Sequence, residues 1–165
     1  MNRSFAAEIL DILAQDSRTS AAIIAQMLNS TEEAVLAEIA RMEKENILLR
    51  YTTIVNEELT EDKETIHALI EVKVTPQYLQ GYDAIADMIS RYPEVRACYL
   101  MSGAYDFMVL VDGPTLRDVS RFVTEKLSVL NGVTSTGTHF VLKKYKDNHV
   151  VMPKGSDDRR QVITP

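Results

Sequence analysis

Residues 95–113 constrain the chain more than any other stretch. Two runs rich in β-branched, aromatic and long apolar side chains, Val95-Arg96-Ala97-Cys98-Tyr99-Leu100-Met101 and Tyr105-Asp106-Phe107-Met108-Val109-Leu110-Val111, flank Ser102-Gly103-Ala104. Two such runs around a small, glycine-containing break predict a β-hairpin closed by a tight turn. The second run shows little polar alternation, the pattern of a central strand covered on both faces. Asp106 is its exception. A carboxylate there either caps the turn backbone or anchors the ammonium group of a small ligand, and composition does not separate the two.

The sequence on either side of the hairpin supplies the rest of a domain. Ile66, Ala68, Ile70, Val72 and Val74 alternate with His67, Leu69, Glu71 and Lys73, which predicts a half-buried strand ending at Pro76. Residues 82–91 read as a helix with Ile85, Met88 and Ile89 on one side, ended by Tyr92-Pro93-Glu94. Pro114 opens a second helix to about residue 130, with Leu116, Val119, Val123, Leu127 and Leu130 as its buried stripe and Asn131-Gly132 as its stop. Residues 133–142 form a last strand, with Thr134, Thr136 and Thr138 on one face and Ser135, Gly137 and His139 on the other. The order βαββαβ predicts a ferredoxin-like domain, an antiparallel sheet with both helices on one face. The other face calls for cover, and a partner subunit's sheet supplies it most simply, so a homodimer is expected.

Before this domain the apolar period is that of helices. Phe5, Ile9, Ile12 and Leu13 fall on one stripe of a helix over residues 5–14. Thr19 or Ser20 caps a second helix that runs to about Leu28 and buries Ile24, Met27 and Leu28. Thr31 caps a third, with Glu32 and Glu33 in the first turn where the helix dipole favours acids. Val35, Ile39 and Met42 form its inner face and Glu32, Leu36, Ala37 and Ala40 its exposed face. Three short helices with a tight turn between the second and third fit a helix-turn-helix unit, and equally any small three-helix bundle. Residues 47–56 read as strand-like, a wing or a connector, and the acidic residues 57–64 as a solvated loop.

The fold class is therefore α+β: a (winged) helix-turn-helix domain over residues 1–50, a linker over 51–64, the βαββαβ domain over 65–146 and an extension over 147–165. The domain ends on the basic stretch Lys143-Lys144-Tyr145-Lys146; in the extension, Gly155 to Arg160 is polar and Gln161-Val162-Ile163-Thr164-Pro165 reads as a tail or an added edge strand.

Composition narrows the function. The chain has 165 residues, net charge −6, and 25% charged residues, so a generally basic nucleic-acid surface is excluded but a local one is not. Cys98 is the single cysteine and His67, His139 and His149 are scattered, so neither an intramolecular disulfide nor a thiolate metal cluster is expected. No nucleophile elbow, phosphate-binding loop or dinucleotide fingerprint occurs, so neither enzymatic activity nor a cofactor is expected. No apolar run spans a membrane and the start carries Glu8 and Asp11, which places the chain in the cytoplasm by default.

The combination resembles the Lrp/AsnC family of feast/famine transcriptional regulators over nearly the whole chain. The resemblance rests on Asp16-Ser17-Arg18-Thr19-Ser20 before the second helix, on Val35, Ile39, Arg41 and Met42-Glu43-Lys44-Glu45-Asn46-Ile47, and on Tyr51. In the second domain it rests on Val95, Gly103-Ala104-Tyr105-Asp106 and Gly132-Val133. It implies a RAM-type second domain that dimerises through its sheets, often assembles to octamers, and binds amino acids or related metabolites near the hairpin tip and last strand. On this chain that points to Ser102, Gly103, Tyr105, Asp106, Thr136 and Thr138. It also implies double-stranded DNA as partner, with Arg18, Thr31, Leu36, Arg41 and Arg50 nearest to it. Leu36 would touch a thymine methyl and the arginines would mostly position phosphates.

One departure bears on that implication. Residues 1–56 carry five basic residues (Arg3, Arg18, Arg41, Lys44, Arg50) against eight acidic ones, net −3, and Asn46 stands where the family usually has glycine. Few cations mean few released counterions and weak nonspecific DNA binding, unless linked half-sites in an oligomer compensate. Two rival readings follow: a metabolite-binding oligomer that acts through a protein partner, and a small enzyme pairing Asp106 with His139.

Overall fold

The computed structural model describes residues 4–60, 65–75 and 81–153. The chain divides into two units, Met1–Ile54 and Val55–Pro165. In the first, α1 (Phe5–Gln15), α2 (Ala21–Met27) and α3 (Glu32–Lys44) start at the hydroxyl caps Ser4, Ser20 and Thr31. Each cap oxygen accepts a bond from the backbone N–H three residues on, at 3.2–3.3 Å. Both α2 and α3 end on a left-handed asparagine, Asn29 (φ 49°) and Asn46 (φ 57°). The following N–H bonds to the carbonyl five residues back, Ser30 to Ala25 O and Ile47 to Met42 O, at 2.8 Å each. Asn46 thus holds the left-handed terminus that glycine would otherwise supply, because its short amide tolerates that conformation.

Ile9, Leu13, Ile24, Ala25, Val35 and Met42 form the core of this unit. Met27 does not join it and is 62% exposed. The inward set on α2 is Ala21, Ile24, Ala25 and Leu28, the i, i+3, i+4, i+7 positions, and Met27 lies off that stripe. Residues 47–56 form no strand. Their alternating apolar groups, Leu49, Tyr51 and Val55, are exposed, because no neighbouring strand among the described residues offers a ladder.

The second unit begins with a 3₁₀ turn, Glu57–Leu59, where the sequence suggested an unstructured loop. There follow β1 (Ile66–Val74), α4 (Asp83–Ser90), β2 (Val95–Leu100), β3 (Phe107–Gly113), α5 (Leu116–Phe122) extended by a π turn over Val123–Leu127, and β4 (Val133–Phe140). The sheet order is β2-β3-β1-β4, antiparallel throughout, which is the ferredoxin-like arrangement. A short ribbon of β5 (Lys146–Asp147) and β6 (Val150–Val151) closes over Asn148 and His149, both at positive φ. The readings placed on residues 61–64, Pro76 and 161–165 lie outside the described residues.

Ala68, Ile70, Val72, Phe107, Val109 and Val111 face the helices and are at most 2% exposed. The opposite face carries Leu69, Met108 and Leu110, half-buried, and Tyr99, 53% exposed. The central strand is therefore covered fully on one face only. On the helices the inward set is Ile85 and Ile89 of α4 with Val119, Phe122, Val123 and Leu127. Met88 and Leu116 turn to solvent at 41% and 54% exposure, and Phe122 takes the inward place. Pro114 does not open α5; it precedes the cap Thr115. Among the described residues no helix is long and apolar enough to cross a membrane.

Candidate functional site

The connection from β2 to β3 is a loop over residues 101–106 rather than a tight turn. Asp106 is its last residue and holds it to the sheet. Its N–H donates to Val72 O at 3.0 Å and its carbonyl accepts from Met101 N at 2.8 Å. Its carboxylate accepts from Val74 N at 2.8 Å and from the Tyr82 hydroxyl at 3.2 Å. One side chain thus ties the hairpin loop to the end of β1 and the start of α4. The Tyr82 ring stands edge-on to Phe107 at 5.9 Å, and the bond to Asp106, with some desolvation, pushes the Tyr82 phenol above its ordinary pKa. A carboxylate offers about four acceptor sites, so Asp106 keeps capacity for a further donor.

Ser102 and Gly103 lie exposed on the loop and Tyr105 is half-buried beside Asp106. A Cβ at Gly103 would meet nothing within 4 Å. Thr136 and Thr138 of β4 pair with Val72 and Ile70, so they lie on the helix side of the sheet. The Thr136 hydroxyl is 3.3 Å from that of Ser128. The loop and Thr136 therefore flank the Val72 end of β1 from either side, two strand spacings or about 10 Å apart, with Thr138 one pair deeper. His139 does not meet Asp106: it projects from the opposite face, level with Leu69, and pairs with Glu71 at 3.4 Å. The acid-base pair of the enzyme reading is not assembled.

At the other end of β1 stands a cluster that the sequence did not reveal. His67 is buried, with Nδ1 2.6 Å from Asp112 Oδ1 and Nε2 2.5 Å from Glu57 Oε2. Lys144 Nζ donates to the same Glu57 oxygen at 3.3 Å, and Arg96 lies 3.9 Å from Asp112. Desolvation pushes Glu57 up, but the bonds to His67 and Lys144 outweigh it and hold its carboxyl below the usual range. The alternation that put His67 opposite the core face was correct as periodicity. What it hid was a partner 45 residues away across the β1–β3 register.

In the first unit, Arg18 is 86% exposed and forms a bidentate pair with Asp16 at 3.0 and 3.1 Å. Thr31 is spent on its cap, and Leu36 is 51% exposed. Arg41 is gripped by Glu38, at 2.6 and 3.0 Å, and by Glu45. Arg50 is exposed and has no ion pair among the described residues. At 100° per residue, Leu36 and Arg41 stand on opposite flanks of the outward face of α3, about 140° apart. Between them lies Lys44, exposed and unpaired among the described residues, a cation that the sequence reading passed over.

Comparison with known proteins settles the kinship of this architecture. The family model described as the Lrp/AsnC ligand binding domain matches residues 67–151. The HTH-type transcriptional regulator YugG of Bacillus subtilis is 42% identical over 158 residues, 96% of this chain and 95% of that protein. The chain belongs to the Lrp/AsnC family. Two solved structures show the same fold as this Lrp/AsnC chain at low identity. The leucine response regulatory protein LrpA of Mycobacterium tuberculosis superposes with a TM-score of 0.74 at 18% identity, covering 92% of this chain and all of that one. A transcriptional regulator of Neisseria meningitidis in complex with L-Met gives 0.69 at 20% identity, covering 89% and 94%.

Proposed function

We propose that this Lrp/AsnC chain is a sequence-specific DNA-binding transcriptional regulator whose second unit binds an amino acid or a related small metabolite. The observation that carries the reading is Asp106. It is a half-buried carboxylate fixed by three elements of the ligand-binding domain, with acceptor capacity left over, at the open end of the hairpin. Asp106 takes the ligand ammonium and the loop N–H groups at Ser102 and Gly103 donate to the ligand carboxylate, while Thr136 and Thr138, across β1, offer hydroxyls to the far side of the ligand. Tyr105 packs against its side chain. The Neisseria relative's complex with L-Met supports this ligand class.

DNA is met by α3 and its flanks: Leu36 at a thymine methyl, and Arg18, Thr31, Lys44 and Arg50 at phosphates, with Arg41 beside them but held by Glu38 and Glu45. The face carrying Leu69, Tyr99, Met108 and Leu110 pairs with a second copy, giving a dimer that assembles further to an octamer.

A second reading, a metabolite-binding oligomer that acts through a protein partner, is favoured by one observation. The Glu38 and Glu45 carboxylates neutralise Arg41 on the helix that would read DNA. Selection of bound fragments from sheared genomic DNA, with and without an amino-acid mixture, separates the two. The regulator recovers discrete fragments, including the one upstream of its own gene, in amounts that the amino acids change. Recovery that mirrors the input would leave the protein-partner reading.

A further inference from the structure

A second cavity lies at the end of β1 away from the hairpin. A cavity of about 140 Å³ there is bounded by the residues just after Ile54, by the start of β1 and by the segment following β4. Its volume is close to that of the engineered cavity of about 150 Å³ that holds benzene, so it suits a body of roughly six non-hydrogen atoms. Val55, Ile66, Val141 and Met152 give it apolar walls.

Two of its donors have no hydrogen-bond acceptor among the described residues. The Asn56 side-chain nitrogen is buried and bonds to nothing among the described residues. The Lys143 side chain is only 14% exposed, yet its nearest carboxylate, Glu58, is 3.7 Å away, beyond hydrogen-bond reach. The neighbouring Lys144 and Glu57 are satisfied by one another and by His67, so they do not fill this need. A buried amide donor with no partner, and a largely buried ammonium whose one ion pair, to Glu58 of the same cavity, is longer than a hydrogen bond, are costly to the fold. They describe a place for a pair of anionic oxygens with an apolar body behind them.

We infer that this cavity binds a small aliphatic monocarboxylate, its carboxylate on Asn56 Nδ2 and Lys143 Nζ and its hydrocarbon on Val55, Ile66, Val141 and Met152. The site is separate from the hairpin and does not rest on the effector reading. Val55 and Asn56 are the first residues of the second unit, so the cavity lies within that unit.

Thermal unfolding of the full chain tests this with 3-methylbutanoate against 3-methylbutylamine, the same body with a cationic head, at matched ionic strength. A ligand that binds only the folded form raises the melting temperature with concentration. The acid is expected to give a saturable rise and the amine none. Half-saturation should move up about tenfold or more in Lys143→Met and in Asn56→Leu, as loss of a charged hydrogen bond implies. It should stay near the original in Lys143→Arg and in Asp106→Asn. Equal response to acid and amine, or no rise with the acid in the unaltered chain, overturns the inference. So does a rise that survives Lys143→Met but vanishes in Asp106→Asn, which would place the carboxylate at the hairpin.

Discussion

Asp106 accepts the backbone N–H of Val74 at 2.8 Å across 32 residues of sequence. That bond joins the hairpin loop to the last residue of β1, and a second from Tyr82 joins it to the foot of α4. Replacing Asp106 with alanine leaves the Val74 donor without its partner. We expect the second unit to lose about 1–3 kcal/mol, the range for a lost charge-assisted bond, measured by urea unfolding.

The Tyr82 phenol has a raised pKa because of Asp106. A group whose folded pKa lies above its unfolded value, about 10 for tyrosine, contributes stability that is full below that value and is lost as pH rises through the folded one. The stability difference between the native chain and Tyr82→Phe should therefore shrink as unfolding is measured from pH 9 to progressively more alkaline solution. In Asp106→Asn the Tyr82 titration, followed by ultraviolet absorbance, should return towards its ordinary position.

Glu57 is held low by His67 and Lys144. Its contribution is therefore present above the unfolded carboxyl pKa of about 4.3 and is lost as pH falls through the lower folded value. The gap between the native chain and Glu57→Gln should be constant from pH 7 to 5 and close below pH 4. His67→Ala, which leaves Glu57 and Asp112 facing each other without the ring, should lower stability by about 1–3 kcal/mol by denaturant titration.

The grip on Arg41 makes a prediction about DNA. Freeing the guanidinium in Glu38→Gln/Glu45→Gln should steepen the slope of log affinity against log salt by about 0.9, one more phosphate contact. Lys44→Ala should flatten it by a similar amount, whereas Arg41→Ala should change it little. Fluorescence anisotropy with a random duplex at several salt concentrations reads all three.

Gly132 has φ +95°, and a Cβ there would lie 3.0 Å from Ile85 Cδ1 and 3.2 Å from Thr75 O. Gly132→Ala should cost about 1–3 kcal/mol, because both the backbone conformation and the close approach resist it. The readout is the melting temperature.

Much of this fold was legible from local pattern. The alternation Ala68, Ile70, Val72, Val74 and the caps Ser20 and Thr31 depend on neighbours a few residues away, and they stand as read. Met27, Met88 and Leu116 were misplaced because an apolar side chain near a stripe is not the same as one on it, and helices this short leave the edges of the stripe in solvent. The wing over residues 47–56 failed for want of a ladder partner, which no local pattern can show. Asp106 stood out in the sequence as one anomalous carboxylate in an apolar run, whereas Tyr105 and Gly103 entered as site residues only through the family resemblance. The His67 cluster escaped, since its partners sit 10 and 45 residues away and meet only through sheet register. Lys143 and Asn56 lie far apart in the sequence and line one cavity only in the folded chain.

The most direct test of the central claim is an anisotropy titration of the full chain on a labelled duplex from upstream of its own gene and on a shuffled duplex. Each is run at moderate salt with and without an amino-acid mixture. The account predicts at least about tenfold tighter binding to the native duplex, the low end of the gap between specific and nonspecific sites being larger still, and a shift in that affinity with one or more amino acids. Equal affinity for both duplexes, unmoved by the mixture, would contradict it.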